Sequence, residues 1–198
     1  MLNIAVLVSG GGTNLQALLD AESSGVIKHG KITLVISDKE NAYALRRAEN
    51  AGVENLTIRS GGVPQEVFEA RLLKELEDHR IDLIVLAGFM KILSEQFVSN
   101  YPKRIINVHP SLIPSFCGEG FYGLRVHDAA LKKGVKVTGA TVHFVNEIPD
   151  GGEIIKQKAV SVLDGDTPEI LQRRVMEQAE WIILPQAVEE VCKSRCER

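Results

Sequence analysis

Apolar positions in this chain fall into short continuous runs, separated by stretches with helical spacing. The first run is Ile4-Ala5-Val6-Leu7-Val8. It stops at Ser9-Gly10-Gly11-Gly12, after which Leu15, Leu18 and Leu19 recur on one helical face. That pattern predicts a strand, a tight loop and a helix. Thr13, with Gln16 three residues later, predicts a capping box at the helix start. Further strands are expected over residues 32–36, 55–58, 81–87 and 105–108, with helices over 42–51 and 67–76. Buried strands alternating with helices predict an α/β fold: a Rossmann-like, mostly parallel sheet with helices on both faces.

The pattern changes after Pro114. Gly118, Gly120 and Gly123 lie in a loop rich in aromatic residues, and a short helix is expected over 126–132. Residues 137–145 and 153–160 read as two long strands joined by 146–152, an antiparallel C-terminal hairpin added to the sheet. The tail, 168–191, reads as helix with Ile170, Leu171, Val175, Ala179 and Ile182 on its apolar side, and Pro185 is expected to bend or restart it. Neither a linker-like segment nor a repeat interrupts the 198 residues, so one domain is expected over 1–198.

Composition narrows the function classes. The chain is 44% hydrophobic and 25% charged with a formal net charge of −3, ordinary for a soluble protein and without an electrostatic case for nucleic acid. No apolar stretch approaches the roughly 20 residues a membrane helix needs, and Met1-Leu2-Asn3-Ile4 lacks a signal-peptide pattern. Cys117, Cys192 and Cys196 make no metal-binding pairs of useful spacing, so a reduced, cytoplasmic protein without metal is expected.

The chemistry is concentrated in Asn107-Val108-His109-Pro110-Ser111-Leu112-Ile113-Pro114. Residues i and i+2 of a strand face the same side, so Asn107 and His109 are placed on one pocket. An amide donor beside an imidazole can stabilise an oxyanion and move a proton. His109 also has a plain reading as a strand-end histidine, as does His143 on its own strand beside Thr141. His127 opens a helix and suits the surface equally. Asp150, before Gly151-Gly152, suits a turn for local reasons alone. The loop Gly10-Gly11-Gly12-Thr13-Asn14 offers backbone N–H groups to an anion at a helix start. It fits neither the dinucleotide fingerprint, because Leu15 stands where a third glycine belongs, nor the Walker pattern. A monophosphate is the expected guest.

Four motifs occur in order: Ser9-Gly10-Gly11-Gly12-Thr13-Asn14-Leu15-Gln16, Leu86-Ala87-Gly88-Phe89-Met90-Lys91-Ile92-Leu93, the Asn107 to Pro114 segment, and Thr141-Val142-His143-Phe144-Val145 with Asp150-Gly151-Gly152. Together they closely resemble the phosphoribosylglycinamide formyltransferase family of folate-dependent purine-synthesis enzymes, across essentially the whole chain. The resemblance implies that Asn107, His109 and Asp150 are the catalytic trio, supported by Thr141 and His143. It implies that Gly11, Gly12, Thr13 and Asn14 hold the substrate phosphate and Glu180 the ribose. Met90, Lys91, Ile92 and Leu93 would line the folate pocket. Lys91 stands where the family often has Arg, and a basic residue that sometimes grips the folate tail is replaced near Gln65.

The implied reaction moves a formyl group from 10-formyltetrahydrofolate, a co-substrate, to the amine of glycinamide ribonucleotide. Asn107 and a protonated His109 would donate to the growing oxyanion, while Asp150 favours the charged imidazole. Small molecules would be the only partners, with neither nucleic acid nor membrane, and the chain would be a monomer or homodimer. Hydrolysis of the formyl-folate is the alternative within the class, although such enzymes carry an extra N-terminal domain. A nucleotide-binding module without catalysis is the alternative outside it.

Overall fold

The computed structural model describes residues 1–197. Its centre is a seven-stranded sheet of order β3-β2-β1-β4-β5-β6-β7. The strands are β1 (Leu2–Val8), β2 (Gly30–Ser37), β3 (Glu54–Thr57), β4 (Leu83–Leu86), β5 (Ile105–His109), β6 (Val137–Phe144) and β7 (Ile154–Ser161). The first five pair in parallel; β6 runs antiparallel to β5, and β7 antiparallel to β6. The expected α/β arrangement with a C-terminal hairpin is therefore the fold.

Alternation along β1 shows how the sheet is covered. Ile4, Val6 and Val8 enter one core with Leu15 and Leu18 of helix α1 (Thr13–Ser23) and Ile183, Ala187 and Val188 of helix α7 (Trp181–Cys196). Ala5 and Leu7 enter the other core with Phe68, Leu72 and Leu76 of helix α3 (Gln65–Asp78) and Phe97 of helix α4 (Glu95–Ser99). Helix α2 (Tyr43–Asn50), α5 (Leu124–Lys133) and α6 (Pro168–Val175) complete the first face. A strand whose side chains are buried on both sides reads as an unbroken apolar run, which is why these strands were legible.

Three local expectations are corrected. The capping box at α1 does not form: Gly12, in the left-handed region, is the N-cap, and the Gln16 amide oxygen accepts from Arg47 Nη1 at 2.9 Å. Helix α4 is an addition; Ser94 caps it by accepting from the Phe97 N–H. The C-terminal helix is interrupted upstream of Pro185, by a π-helical turn over Met176–Glu180, while α7 runs through Pro185. This widened turn is the kind of irregularity that often marks a site.

Candidate active site

Strand order reverses between β1 and β4, and ligands of open parallel sheets bind where the carboxyl ends diverge. A cleft of about 810 Å³ lies there. The Ser9 hydroxyl accepts from the Met90 N–H at 2.9 Å, joining the loops that leave β1 and β4. Below them, Gln65 donates to the Ile92 carbonyl at 3.2 Å, and Glu69 accepts from the Ser94 N–H at 2.7 Å. Gln65 thus holds the loop of residues 90–93 in place, and Met90, Lys91, Ile92 and Leu93 line the cleft.

Asn107 and His109 line the same cleft from β5. Antiparallel pairing sets His143 opposite Asn107 and Thr141 opposite His109. The His143 Nδ1 lies 2.9 Å from the Phe144 carbonyl, which can only accept, so Nδ1 carries a proton. In the neutral ring Nε2 then accepts from the Asn107 amide at 3.2 Å. This contact fixes the amide's orientation and leaves its second N–H for the cleft.

Asp150 joins both imidazoles. Its carboxylate lies 3.4 Å from His109 Nδ1 and 3.5 Å from His143 Nε2, and it accepts from the Gly118 N–H at 2.9 Å. Burial alone would raise this carboxyl, but His143, the charge of His109 and the Gly118 N–H outweigh it, leaving the carboxyl below its ordinary value. Asp150 itself has φ +55, the left-handed region that Asp and Asn tolerate best among side-chain-bearing residues.

The charge state of His109 differs from expectation. Only 5% of the residue is exposed, and burial draws its pKa below the ordinary histidine value despite Asp150 and the Phe116 carbonyl, which pull the other way. Its Nε2 is 2.9 Å from that carbonyl and therefore carries the proton. At rest, then, His109 is a neutral Nε2–H donor at neutral pH, not the imidazolium expected from its carboxylate neighbour. The segment 116–118 closes over both groups, with Phe116 on His109 and Gly118 on Asp150.

Asn14 and Glu180 also line this cleft, and the Asn14 amide donates to Glu180 at 2.7 Å. Burial pushes the Glu180 carboxyl up to about 7, the Asn14 amide only partly opposing it. The π-helical turn ends on Glu180 and places both it and Met176 on the cleft wall. If the carboxylate form accepts hydroxyls of the ligand, affinity for that ligand should rise as pH increases through about 7. In Glu180→Gln this step should vanish from the pH dependence of KM; a step that persists would assign it to another group. The raised carboxyl also penalises the folded state above the ordinary carboxylate range, so the variant should gain thermal stability relative to the native chain as pH rises.

Several expected residues stand elsewhere. Thr13 and Asn14 border the cleft, but Gly11 borders a neighbouring one and Gly12 packs on α2. A Cβ on Gly12 would lie 2.6 Å from the Ala44 Cβ and 2.8 Å from its Cα, at φ +71. Gly12→Val should therefore displace the loop and raise the KM of a ligand held by Thr13 and Asn14 at least tenfold, with ligand affinity at Met90 to Leu93 nearly intact. Equal loss of both affinities would mean a general collapse. Thr141 is outside the cleft lining: its hydroxyl donates to the Ser111 carbonyl at 2.7 Å and accepts from the Ile113 N–H and Gln157. It braces the turn after His109. His127 is fully buried, without a hydrogen-bond partner on either ring nitrogen, and burial lowers it to about 4. The loops Gly118–Gly123 and Asn146–Pro149 also wall the cleft.

Residues 2–188 match the formyl transferase family. The phosphoribosylglycinamide formyltransferase of Escherichia coli K12 is 42% identical over 178 residues, covering 89% of this chain and 81% of its own length. The chloroplastic phosphoribosylglycinamide formyltransferase of Arabidopsis thaliana is 36% identical over 97% of this chain, which spans 66% of that protein. Among solved structures, glycinamide ribonucleotide transformylase 1 from Symbiobacterium toebii superposes with a TM-score of 0.91 at 44% identity, over 98% of this chain and 89% of that one. The helix-covered sheet, the Asn107–His143–Asp150–His109 cluster and these likenesses agree, and the chain belongs to the formyl transferase family.

Proposed function

We propose that this enzyme transfers the formyl group of 10-formyltetrahydrofolate to the amine of glycinamide ribonucleotide, giving formylglycinamide ribonucleotide in de novo purine biosynthesis. One observation carries the reading: a single cleft is lined by the hydrogen-bonded amide, two imidazoles and carboxylate, by Asn14 and Glu180, and by Met90 to Leu93. The arrangement suits two ligands meeting over a shared reaction centre. The phosphoribosyl group binds at Thr13, Asn14 and Glu180. The folate ring binds at the half-exposed, largely apolar residues 90–93 beside the loop of residues 146–150.

The ribonucleotide amine attacks the formyl carbon, and negative charge grows on the formyl oxygen. The free N–H of Asn107 donates to that oxygen. The formyl oxygen replaces the Phe116 carbonyl on His109 Nε2, so a donor already protonated at rest is handed to the substrate. An anion growing beside a neutral imidazole raises its proton affinity, so the proton the amine releases to Asp150 is shared with His109 Nδ1, which carries the charge until the proton passes on to the folate nitrogen. As the new C–N bond forms, the amine proton passes through water to Asp150. Cleavage of the bond to the folate N10 requires a proton on that nitrogen, supplied by the same relay. The site lies in the cytoplasm on this reading.

Incubating the protein with 10-formyltetrahydrofolate, with and without glycinamide ribonucleotide, tests the proposal. Folate release only with the ribonucleotide is the expected result. Release without it would make the chain a hydrolase, and release in neither case would reduce it to a binding module.

A further inference from the structure

The cleft that takes Gly11 is separate from the catalytic one and about as large, roughly 790 Å³. It lies at the carboxyl ends of β1 and β2, lined by Gly10, Gly11, Asp38, Lys39, Tyr43 and Lys91 among others. Lys91 alone is common to both clefts.

Each part of this wall has a distinct chemistry. Asp38, the first residue after β2, is 6% exposed; one carboxylate oxygen accepts from Ser60 at 3.1 Å and the other has no hydrogen-bond partner. A buried carboxylate oxygen left unpaired is costly, and Asp38 borders the cleft from which a hydroxyl donor would reach its carboxylate. An acid at the end of the second strand, beside a glycine turn after the first, is where parallel nucleotide-binding sheets hold a ribose diol. Lys39 and Lys91 enter no ion pair among the described residues, whereas Arg59 is paired with Glu40. Two free ammonium groups beside open glycine backbone suit a phosphate, since a Cβ on Gly10 or Gly11 would meet nothing within 4 Å. Tyr43 is 55% exposed at the cleft, with the Arg47 guanidinium 5.0 Å from its ring centroid. An aromatic ring partly open to the cleft is a platform for a planar base.

A diol acceptor, two cations and a stacking platform around one cavity are complementary to one kind of molecule. We infer that this cleft is a second ligand site that binds a ribonucleoside phosphate, with Asp38 on the ribose hydroxyls, Lys39 and Lys91 on the phosphate and Tyr43 against the base. The site does not overlap the ribonucleotide-binding residues of the catalytic cleft, because Thr13, Asn14 and Glu180 do not border it.

Calorimetric titration of the full chain with AMP, in saturating glycinamide ribonucleotide, tests the assignment. One AMP should bind per chain, and its 2′,3′-dideoxy analogue should bind about tenfold or more weakly, as expected for losing hydrogen bonds to a carboxylate. Asp38→Asn should weaken AMP about tenfold and erase most of the difference between the two ligands, leaving ribonucleotide turnover unchanged. Lys39→Ala, which alters no buried group, should weaken AMP and inorganic phosphate together and guards against misfolding of the first variant. The inference is overturned if millimolar AMP gives no heat, if glycinamide ribonucleotide expels AMP, or if folded variants at Asp38 and Lys39 bind AMP as tightly as the native chain.

Discussion

Asp150→Asn is expected to lower kcat by roughly 10²-fold or more while both substrates bind with near-normal dissociation constants. The substitution keeps what a turn needs. Asn tolerates the left-handed conformation as well as Asp does and can still accept from the Gly118 N–H. What disappears is the charge 3.4 Å from His109 and 3.5 Å from His143. An opposite charge at that range shifts a histidine by about one to three pKa units. His109 is already held below its ordinary value by burial, with Asp150 as the largest opposing influence. Without it the charged imidazole becomes harder to reach as the oxyanion forms, and the relay loses its acceptor. The native acidic limb should also move: because the Asp150 carboxyl lies below its ordinary value, activity dependent on its ionised form is retained until pH falls through that lowered value. The variant should lack this limb. Steady-state kinetics across pH, with ligand affinities measured separately, would decide; more than about a tenth of native turnover in a folded variant would return Asp150 to a turn-shaping role.

How much of this arrangement could be read from the chain depends on which forces act locally. The central strands were legible because both of their faces are buried, which leaves nearly unbroken apolar runs such as Leu83–Leu86. Helix α4 has five residues, too few to show a helical period. Thr13 and Gln16 have the spacing of a capping box, but Arg47 from a different helix captures the Gln16 side chain. The π-helical turn is invisible to a spacing argument that assumes one period throughout, yet it delivers Glu180 to the cleft.

The site divides along the same line. Asn107 and His109 could be placed together from strand geometry alone, since they are two residues apart. The partnership of Asn107 with His143 depends on the register between β5 and β6, a long-range fact that neither strand encodes separately. Thr141 was correctly placed beside His109 but does not line the cleft, because the Ser111 carbonyl and the Ile113 N–H take up its hydroxyl. The charge of His109 was misjudged for want of one quantity, its burial, which outweighs a visible carboxylate. Gly11 and Gly12 were read as an anion cradle. Gly12 also answers to packing, as its missing side chain admits Ala44.

Asn107→Asp should be more damaging than Asn107→Ala, although it changes the shape least. Removing one oxyanion donor typically costs about 10²- to 10³-fold in kcat, or about 2.7–4 kcal/mol, and this is the loss expected for the alanine variant. The carboxylate does more than withhold a donor. It puts negative charge where the formyl oxygen becomes negative, in a cleft that already holds Asp150. It also faces His143 Nε2, 3.2 Å from the native amide nitrogen, where a lone pair now accepts and would have to be protonated to remain bonded. Like charges in so enclosed a place drive one carboxyl towards its protonated form. A loss beyond about 10³-fold at neutral pH is therefore expected, with part of the activity returning as pH falls and the introduced carboxyl gains a proton it can donate. The native enzyme, whose Asp150 stays ionised until pH falls below the ordinary carboxylate range, should show no such recovery in mild acid. Single-turnover rates of both variants between mildly acidic and mildly alkaline pH make the comparison. If the aspartate variant matches the alanine variant at every pH, or either keeps a tenth of native kcat, the amide does not face the growing oxyanion.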